Sequence, residues 1–368
     1  MTQSSSSAGV TANREVAAVL RDGRIIEAVT LRNKKGIQAR ILSFGATLQS
    51  LIAPDAYGHC AEITLGHDDA IAYVQQRNFF GVTVGRYANR IAKGRFSIDS
   101  IPYQLQANDG LHTSHGGTHG FDQCNWTISA VGSGAGAAYV ELVLTSPHGD
   151  MGYPGAVEAR VTYALDAQGD LSIIMAAKVD RPTILNMTNH ALFNLAGDGS
   201  LTSAMNHRLT VPASRFLPVD AGLLPTGEMR LVLDGPFDFT QGRILREALG
   251  DSSDPQNSIA CGYDHCFVLD KGQTSEPAWA AQLADPVSGR VLDVLTTEPG
   301  IQLYTGTGLN GTILGRGGRL YQKGDGVALE PQKFPDTPNR ASFGSARVDE
   351  ETPYLHRMIY RMSVDKQG

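Results

Sequence analysis

The sequence is poor in several things, and each shortage removes a class of explanation. It holds four cysteines in 368 residues, at 60, 124, 261 and 266. That is too few for a disulfide-stapled scaffold, and free thiols in a reducing compartment are the expectation. No apolar run approaches the roughly 20 residues that span a bilayer, so no membrane partner is expected. No cluster of Lys and Arg stands out, and the formal net charge is −6. Nucleic acid is therefore not an expected partner, because phosphate binding needs concentrated positive charge. The opening residues, MTQSSSSAGVTANREV, have neither a basic start nor an apolar stretch. They read as a flexible polar tail over residues 1–14 rather than an export signal, with one domain over 15–368 and a cytoplasmic location.

Helical periodicity is scarce too. The best short candidate is residues 241–249, about two turns. No alternation of strand and helix patterns appears, which disfavours doubly wound and α/β-barrel folds. Short alternating runs recur instead. Residues 157–163, VEARVTY, place apolar and polar side chains on opposite faces. A turn at 166–170 and a second run at 171–179 complete a hairpin pattern. Residues 138–145 follow a glycine-rich turn at 132–136, and 40–52, 96–105 and 264–269 look similar. The 41 glycines and 17 prolines suit many tight turns. With no linker and no repeat, a large antiparallel β-sandwich is the expected architecture, all-β in class.

Polar residues gather where strand patterns stop. GRYANRIAKG (85–94) carries Asn89 and Arg90, and HTSHGGTHG (112–120) carries three histidines. LNMTNHALFNLAG (185–197) holds His190, and GYDHCFVL (262–269) holds Asp264. TTEPGIQLYTG and ALEPQKFPDTPN supply Gln302 and Glu330. Taken singly, each has a bland reading. Arg90 suits a surface ion pair, His190 a satisfied structural histidine, and Asp264 a turn cap. Glu330 is the least bland: strand alternation counted from Ala328 turns it inward, and a buried glutamate needs a partner or a task.

The histidines at 112, 115 and 119 raise the question of a metal. Their spacing would converge on a helix, but Gly116 and Gly117 argue against one. No nearby carboxylate completes a facial triad. His265 between Cys261 and Cys266 fits no common zinc spacing. No metal and no cofactor are expected. The paired glycines after His115 instead allow left-handed backbone and close approach to a bound molecule.

Laid out in order, FFGVTVGRYANRIAKGRF, NDGLHTSHGGTHGFD, SPHGDMGYPG, NMTNHALFNLAG, LTVPASRFLPVDAGLLPTGE, GYDHCFVL, TTEPGIQLYTG and ALEPQKFPDTPN resemble the aldose 1-epimerase (galactose mutarotase) family across residues 40–340. The resemblance implies a large β-sandwich with an open sugar cleft and a small-molecule aldose as substrate; a monomer is the expectation, with a dimer as the alternative. It implies that Glu330 is the general base and His190 the general acid. It implies that Arg90, His115, Asp264 and Gln302 contact the sugar, with Asn89 beside them, and that His112 and His119 are loop residues. Two departures stand out. Thr113–Ser114 replaces a frequent serine–leucine pair, and Pro331 replaces a small residue.

The implied chemistry opens a pyranose ring by taking the proton of the C1 hydroxyl and protonating the ring oxygen. Rotation about C1–C2 and reclosure give the other anomer of an aldohexose such as galactose or glucose. One carboxylate and one imidazole suffice. An ionised Glu330 beside a protonated His190 is the expected resting pair, each charge stabilising the other. That places the acidic limb of the pH profile on Glu330 and the basic limb on His190. Two alternatives stay open: a non-catalytic sugar-binding or sensor protein on the same fold, and a glycoside hydrolase using Asp264 and Glu330 as paired carboxylates.

Overall fold

Period-two alternation carries through the centre of the chain. Val157–Asp166 alternates buried and partly exposed side chains along its whole length, and Asp170–Val179 pairs with it in antiparallel register. Asp166 closes the turn between them, its Oδ1 accepting the backbone N–H groups of Gln168, Gly169 and Asp170. These strands lie within a nine-stranded sheet that runs from Thr127–Gly134 to the short Arg243–Ile244. The computed structural model describes residues 3–7, 9–134 and 136–365.

Two further large sheets pack around it. An N-terminal six-stranded meander runs from Gln3–Ser7 to Cys60–Glu62. The second six-stranded sheet orders its strands Leu192–Phe193, Val327–Gln332, Gly300–Tyr304, Asp264–Val268, Arg215–Phe216 and Arg230–Leu231, each pair antiparallel. One apolar core joins all three: Leu31 and Leu51 from the meander, Val161 and Ile173 from the large sheet, Leu303 and Leu329 from the third. The fold is an all-β sandwich. Among the described residues no helix is long and apolar enough to cross a membrane.

Several local expectations change. Residues 96–105 fall in the hairpin Arg95–Ile98 and Ile101–Gln104, and residues 132–134 belong to the strand Thr127–Gly134. Residues 10–14 belong to the strand Val10–Val19, with Val10 and Ala12 fully buried and paired to Ile25–Asn33. The polar composition around them hides two small apolar residues at alternate positions, so the stretch is sheet and not tail. Residues 40–52 form two strands, Gln38–Leu42 and Thr47–Pro54, separated by a turn in which Gly45 and Ala46 take positive φ. The helix near 241–249 is confined to Leu245–Gly250, because Gly242 at φ 71° turns the chain before it.

In the third sheet, alternation sets the chemistry. Val327, Leu329, Ile301, Leu303 and Phe267 join the shared core. Their neighbours Glu330, Gln302 and Cys266 form a cross-strand row on the other face. Loops 79–94, 108–120 and 185–195 cover that face.

Arg86 ties those loops down. It is almost fully buried, and its guanidinium donates to Ser146 Oγ and to the carbonyls of Ser146, Pro147, Pro154 and Gly155 at 2.7–3.0 Å. Burial lowers its pKa to about 10, so it stays charged at neutral pH. All five donor positions are used, which pins SPHGDMGYPG against GRYANRIAKG. Replacing Arg86 by Leu strands these acceptors, and an unfolding free energy lower by about 3 kcal/mol or more is predicted. Urea denaturation of Arg86→Leu beside wild type checks this, and an unchanged midpoint contradicts it.

Candidate active site

Three groups come from the third sheet. Gln302 Nε2 donates to Asp264 Oδ1 at 2.6 Å, a diagonal contact between neighbouring strands. Glu330 stands directly across from Gln302 on the other side. All three carry polar atoms into a face whose underside is apolar, so their positions follow from strand register.

The loops bring the rest. Arg90–Ile91 pairs with Thr113–Ser114, which stitches the arginine loop to the histidine loop. Asn89 N–H donates to His115 Nδ1 at 3.3 Å, and His115 N–H returns to the Asn89 carbonyl at 3.2 Å. With Nδ1 accepting, the neutral imidazole keeps its proton on Nε2 as a donor. Arg90 is held from two sides: Nε donates to Asp109 Oδ2 at 2.7 Å, and Nη1 lies 3.6 Å from Asp264 Oδ2. His190 is fixed through its backbone, donating to the Val82 carbonyl and accepting from Gly81 N–H, both at 2.9 Å.

Gly116 and Gly117 take the left-handed backbone expected of them, φ 82° and 100°, but the close approach is not to a bound molecule. A Cβ on Gly116 would sit 1.9 Å from the Gly85 carbonyl oxygen. The close approach is to the arginine loop's own backbone. Phe79, Asn89 and His115 take φ of 58°, 65° and 50°, a region non-glycine residues seldom occupy. Such residues cluster where the surrounding structure holds a site in place.

His190 Nε2 lies 3.7 Å from Glu330 Oε1, with side-chain exposures of 8% and 3%. That is too long for a strong hydrogen bond, so both atoms are free to engage a third group. His190 Nδ1, Glu330 Oε2 and Gln302 Oε1 are buried and make no hydrogen bond. Burial dominates the ionisation of both partners. It lowers His190 to about 4, opposed by a backbone hydrogen bond at His190 and by the Asp264 charge. It raises Glu330 well above the usual carboxylate range, and the Asp264 charge adds to that while Arg90 opposes it. Burial thus pulls the pair toward an uncharged imidazole beside a protonated carboxyl. That direction runs against the expected ion pair, because desolvation penalises both charged forms. His115 is likewise held well below its ordinary pKa by burial and by its neighbours His190, Arg90 and Arg77.

These groups line a cleft of about 510 Å³, within the range of small-molecule sites. Asn89, Arg90, His115, His190, Asp264 and Glu330 all reach it. Gln302 stands behind Asp264. Of the other two histidines in the cluster, His112 accepts from Lys93 N–H at 3.1 Å, and His119 is exposed with its ring on the Thr118 carbonyl. Among the described residues no group of three or more His, Cys, Asp or Glu side chains could hold a metal ion. His265 turns to the core and bonds Gln256 at 3.1 Å, away from Cys261.

Sequence reasoning missed the cleft's apolar and second charged contacts. Phe79, Leu223 and Tyr304 line it, as do Arg77 and Asp109. Tyr304 was recoverable, two residues beyond Gln302 and so on the same strand face. Leu223 was not, because a turn 107 residues from Glu330 carries no local sign of facing it. Of the two departures, Ser114 lies on the cleft wall. Pro331 belongs to the opposite parity from Glu330 on the strand Val327–Gln332.

Comparison with known proteins reaches the same segments. The family described as Aldose 1-epimerase matches residues 27–361. Galactose mutarotase of Bos taurus is 39% identical over 328 residues, covering 89% of this chain and 92% of that protein. Aldose 1-epimerase of Escherichia coli (strain K12) is 38% identical over 327 residues, covering 88% and 91%. The crystal structure of galactose 1-epimerase from Lactobacillus acidophilus NCFM superposes with a TM-score of 0.84 at 29% identity, covering 96% of this chain and 98% of that one. Because the match takes in every strand and loop that builds the cleft, the chain belongs to the aldose 1-epimerase family.

Proposed function

We propose that this protein is a mutarotase: it interconverts the α and β anomers of an aldohexose such as galactose or glucose, with Glu330 and His190 as the proton-transfer pair. One observation carries the assignment of roles. His190 Nε2 and Glu330 Oε1 lie 3.7 Å apart, buried, with neither spent on the other. The two oxygens that must exchange protons in ring opening, O1 and O5, are bonded to the same carbon. A donor and an acceptor this close are suited to straddle it.

The proton count is simple. Ring opening starts with the proton on His190. Glu330 takes the O1 proton, His190 gives its own to O5, and the C1–O5 bond breaks to the open aldehyde. The pair then holds a protonated carboxyl and a neutral imidazole, which is the state that burial favours in the sugar-free cleft. Reclosure after rotation about C1–C2 runs the transfers backwards. The pair keeps one proton throughout, and its two arrangements must lie close in free energy. Desolvation pulls toward the neutral arrangement. A sugar hydroxyl donating to the unpartnered Glu330 Oε2 would support the ionic one. Arg90, Asn89, His115 and Asp264 hold the remaining hydroxyls. The four cysteines are free, which supports a reducing, cytosolic setting. The same reading takes the protein as a monomer, with a dimer as the alternative.

Glu330→Gln and His190→Asn should each lower kcat by about 10²–10⁴-fold with circular dichroism unchanged. The double variant should be little worse than either, since the two act as a unit. Polarimetry on freshly dissolved α-galactose and α-glucose measures this. Substantial activity in Glu330→Gln moves the base elsewhere, to Asp264 first. The kcat/KM profile should be bell-shaped with its limbs reversed from the sequence-based expectation. Activity falls on the acid side as His190 gains a second proton for the pair, near pH 4. It falls on the alkaline side as Glu330 loses its raised proton.

Arg90→Ala leaves donor and acceptor in place but frees the sugar and Asp264, so kcat/KM should drop by about 10²-fold. Wild-type values on every aldose tested would remove Arg90 from the cleft's work. Exhaustive EDTA treatment should leave activity intact, since the chemistry needs a proton donor and acceptor only. Loss restored by one divalent ion contradicts that.

A further inference from the structure

Phe79 is the one cleft residue whose ring meets both imidazoles. Its centroid is 5.0 Å from that of His115 and 5.7 Å from that of His190, and the two imidazoles stand edge to face at 5.4 Å. The chain accepts a cost to place it there: φ at Phe79 is 58°, which a bulky side chain rarely adopts. Its ring packs against a small apolar cluster of Val82, Val84 and Ala88.

The ring is itself held. The Arg77 guanidinium lies 4.8 Å from its centroid, at cation–π range. Arg77 is committed elsewhere, with Nε and Nη2 on the two oxygens of buried Asp122 at 2.7 and 2.8 Å and Nη1 on the Thr118 carbonyl at 3.1 Å. Its charge is neutralised and its plane fixed, which makes it a rigid backing and not a free sugar ligand. The backbone completes the unit, because residues 81 and 82 hydrogen-bond the main chain of His190.

We propose that Phe79, fixed by Arg77, is a positioning residue that orients the His190 imidazole and keeps water from it, so setting how readily that ring takes up a proton. This rests on His190 being the acid of the mutarotase reading. Other groups face the same imidazole: Glu330 and Asp264 across the cleft, Tyr304 at 6.1 Å between ring centroids, and His115. Arg90 and Arg77 act electrostatically on His115 itself. Of these, only Tyr304 is a carbon ring like Phe79, and its centroid lies farther from His190, at 6.1 Å against 5.7 Å. Glu330 and Asp264 bring acceptors, and His115 is polar.

Phe79→Gly tests the idea without forcing the backbone, because glycine accepts the left-handed φ. Phe79→Tyr keeps the ring and serves as the rescue. In Phe79→Gly, kcat for α-galactose should fall about tenfold or more with KM changed less. The acid limb of the kcat/KM profile should move up toward the ordinary imidazole range by about one pH unit or more as water solvates the cation. Phe79→Tyr should keep both near wild type. NMR titration of His190 in the sugar-free protein should show the same upward shift. A rise in KM alone, with limb and titration unmoved, makes Phe79 a sugar-stacking surface and overturns the proposal. So does an unchanged kcat. A wild type that mutarotates no aldose sinks the mutarotase reading, while the NMR titration still decides what Phe79 does to His190.

Discussion

Everything in this protein's cleft depends on burying an imidazole and a carboxyl 3.7 Å apart in surroundings too dry to favour their charges. In water such a pair would ionise, and the proton would sit on the histidine. Inside the sandwich the same pair is pulled toward neutrality, because removing solvation costs each charge more than the other returns. A proton poised between these two arrangements is what the proposed anomer interconversion asks of the pair.

The scaffold supplies that dryness without spending rigid elements on it. Three sheets share one apolar core, and the third turns alternate side chains away from it. Leu329 and Leu303 face the core, while Glu330 and Gln302 form a row on the opposite side. A one-residue slip of the Val327–Gln332 strand would bury the glutamate among leucines and turn the leucines to the cleft. The apolar residues thus set the register that places the polar ones.

The cover over that face is built from loops, and loops need their own restraints. Arg86 binds one segment through five hydrogen bonds. Gly116 lets the histidine loop lie against Gly85, and the exchange between Asn89 and His115 fixes the histidine's tautomer. Arg86 and Arg90 sit four residues apart in one motif and do different work. The first holds carbonyls together inside the protein, and the second points into the cleft with acids on two sides. Nothing in the motif alone separates those roles.

The sequence by itself determined the class of fold and named several of the polar residues that reach the cleft. Alternating runs such as 157–163 leave little else than strands, and the absence of helical periodicity removes most competing architectures. The motifs around Asn89, Arg90, His115, His190, Asp264, Gln302 and Glu330 name polar groups at strand ends, and Glu330 betrays itself by an inward parity. Local pattern also misled. The serine-rich start concealed Val10 and Ala12, whose burial depends on the strand Ile25–Asn33 pairing beside them. Three things were decided only by tertiary structure. The pair's protonation state follows from burial, which is a property of all the elements packed around it. The roles of Phe79, Leu223 and Arg77 arise from contacts between distant segments. Gly116 answers to the backbone of Gly85, because sterics act between atoms that meet in space, wherever they stand in the chain.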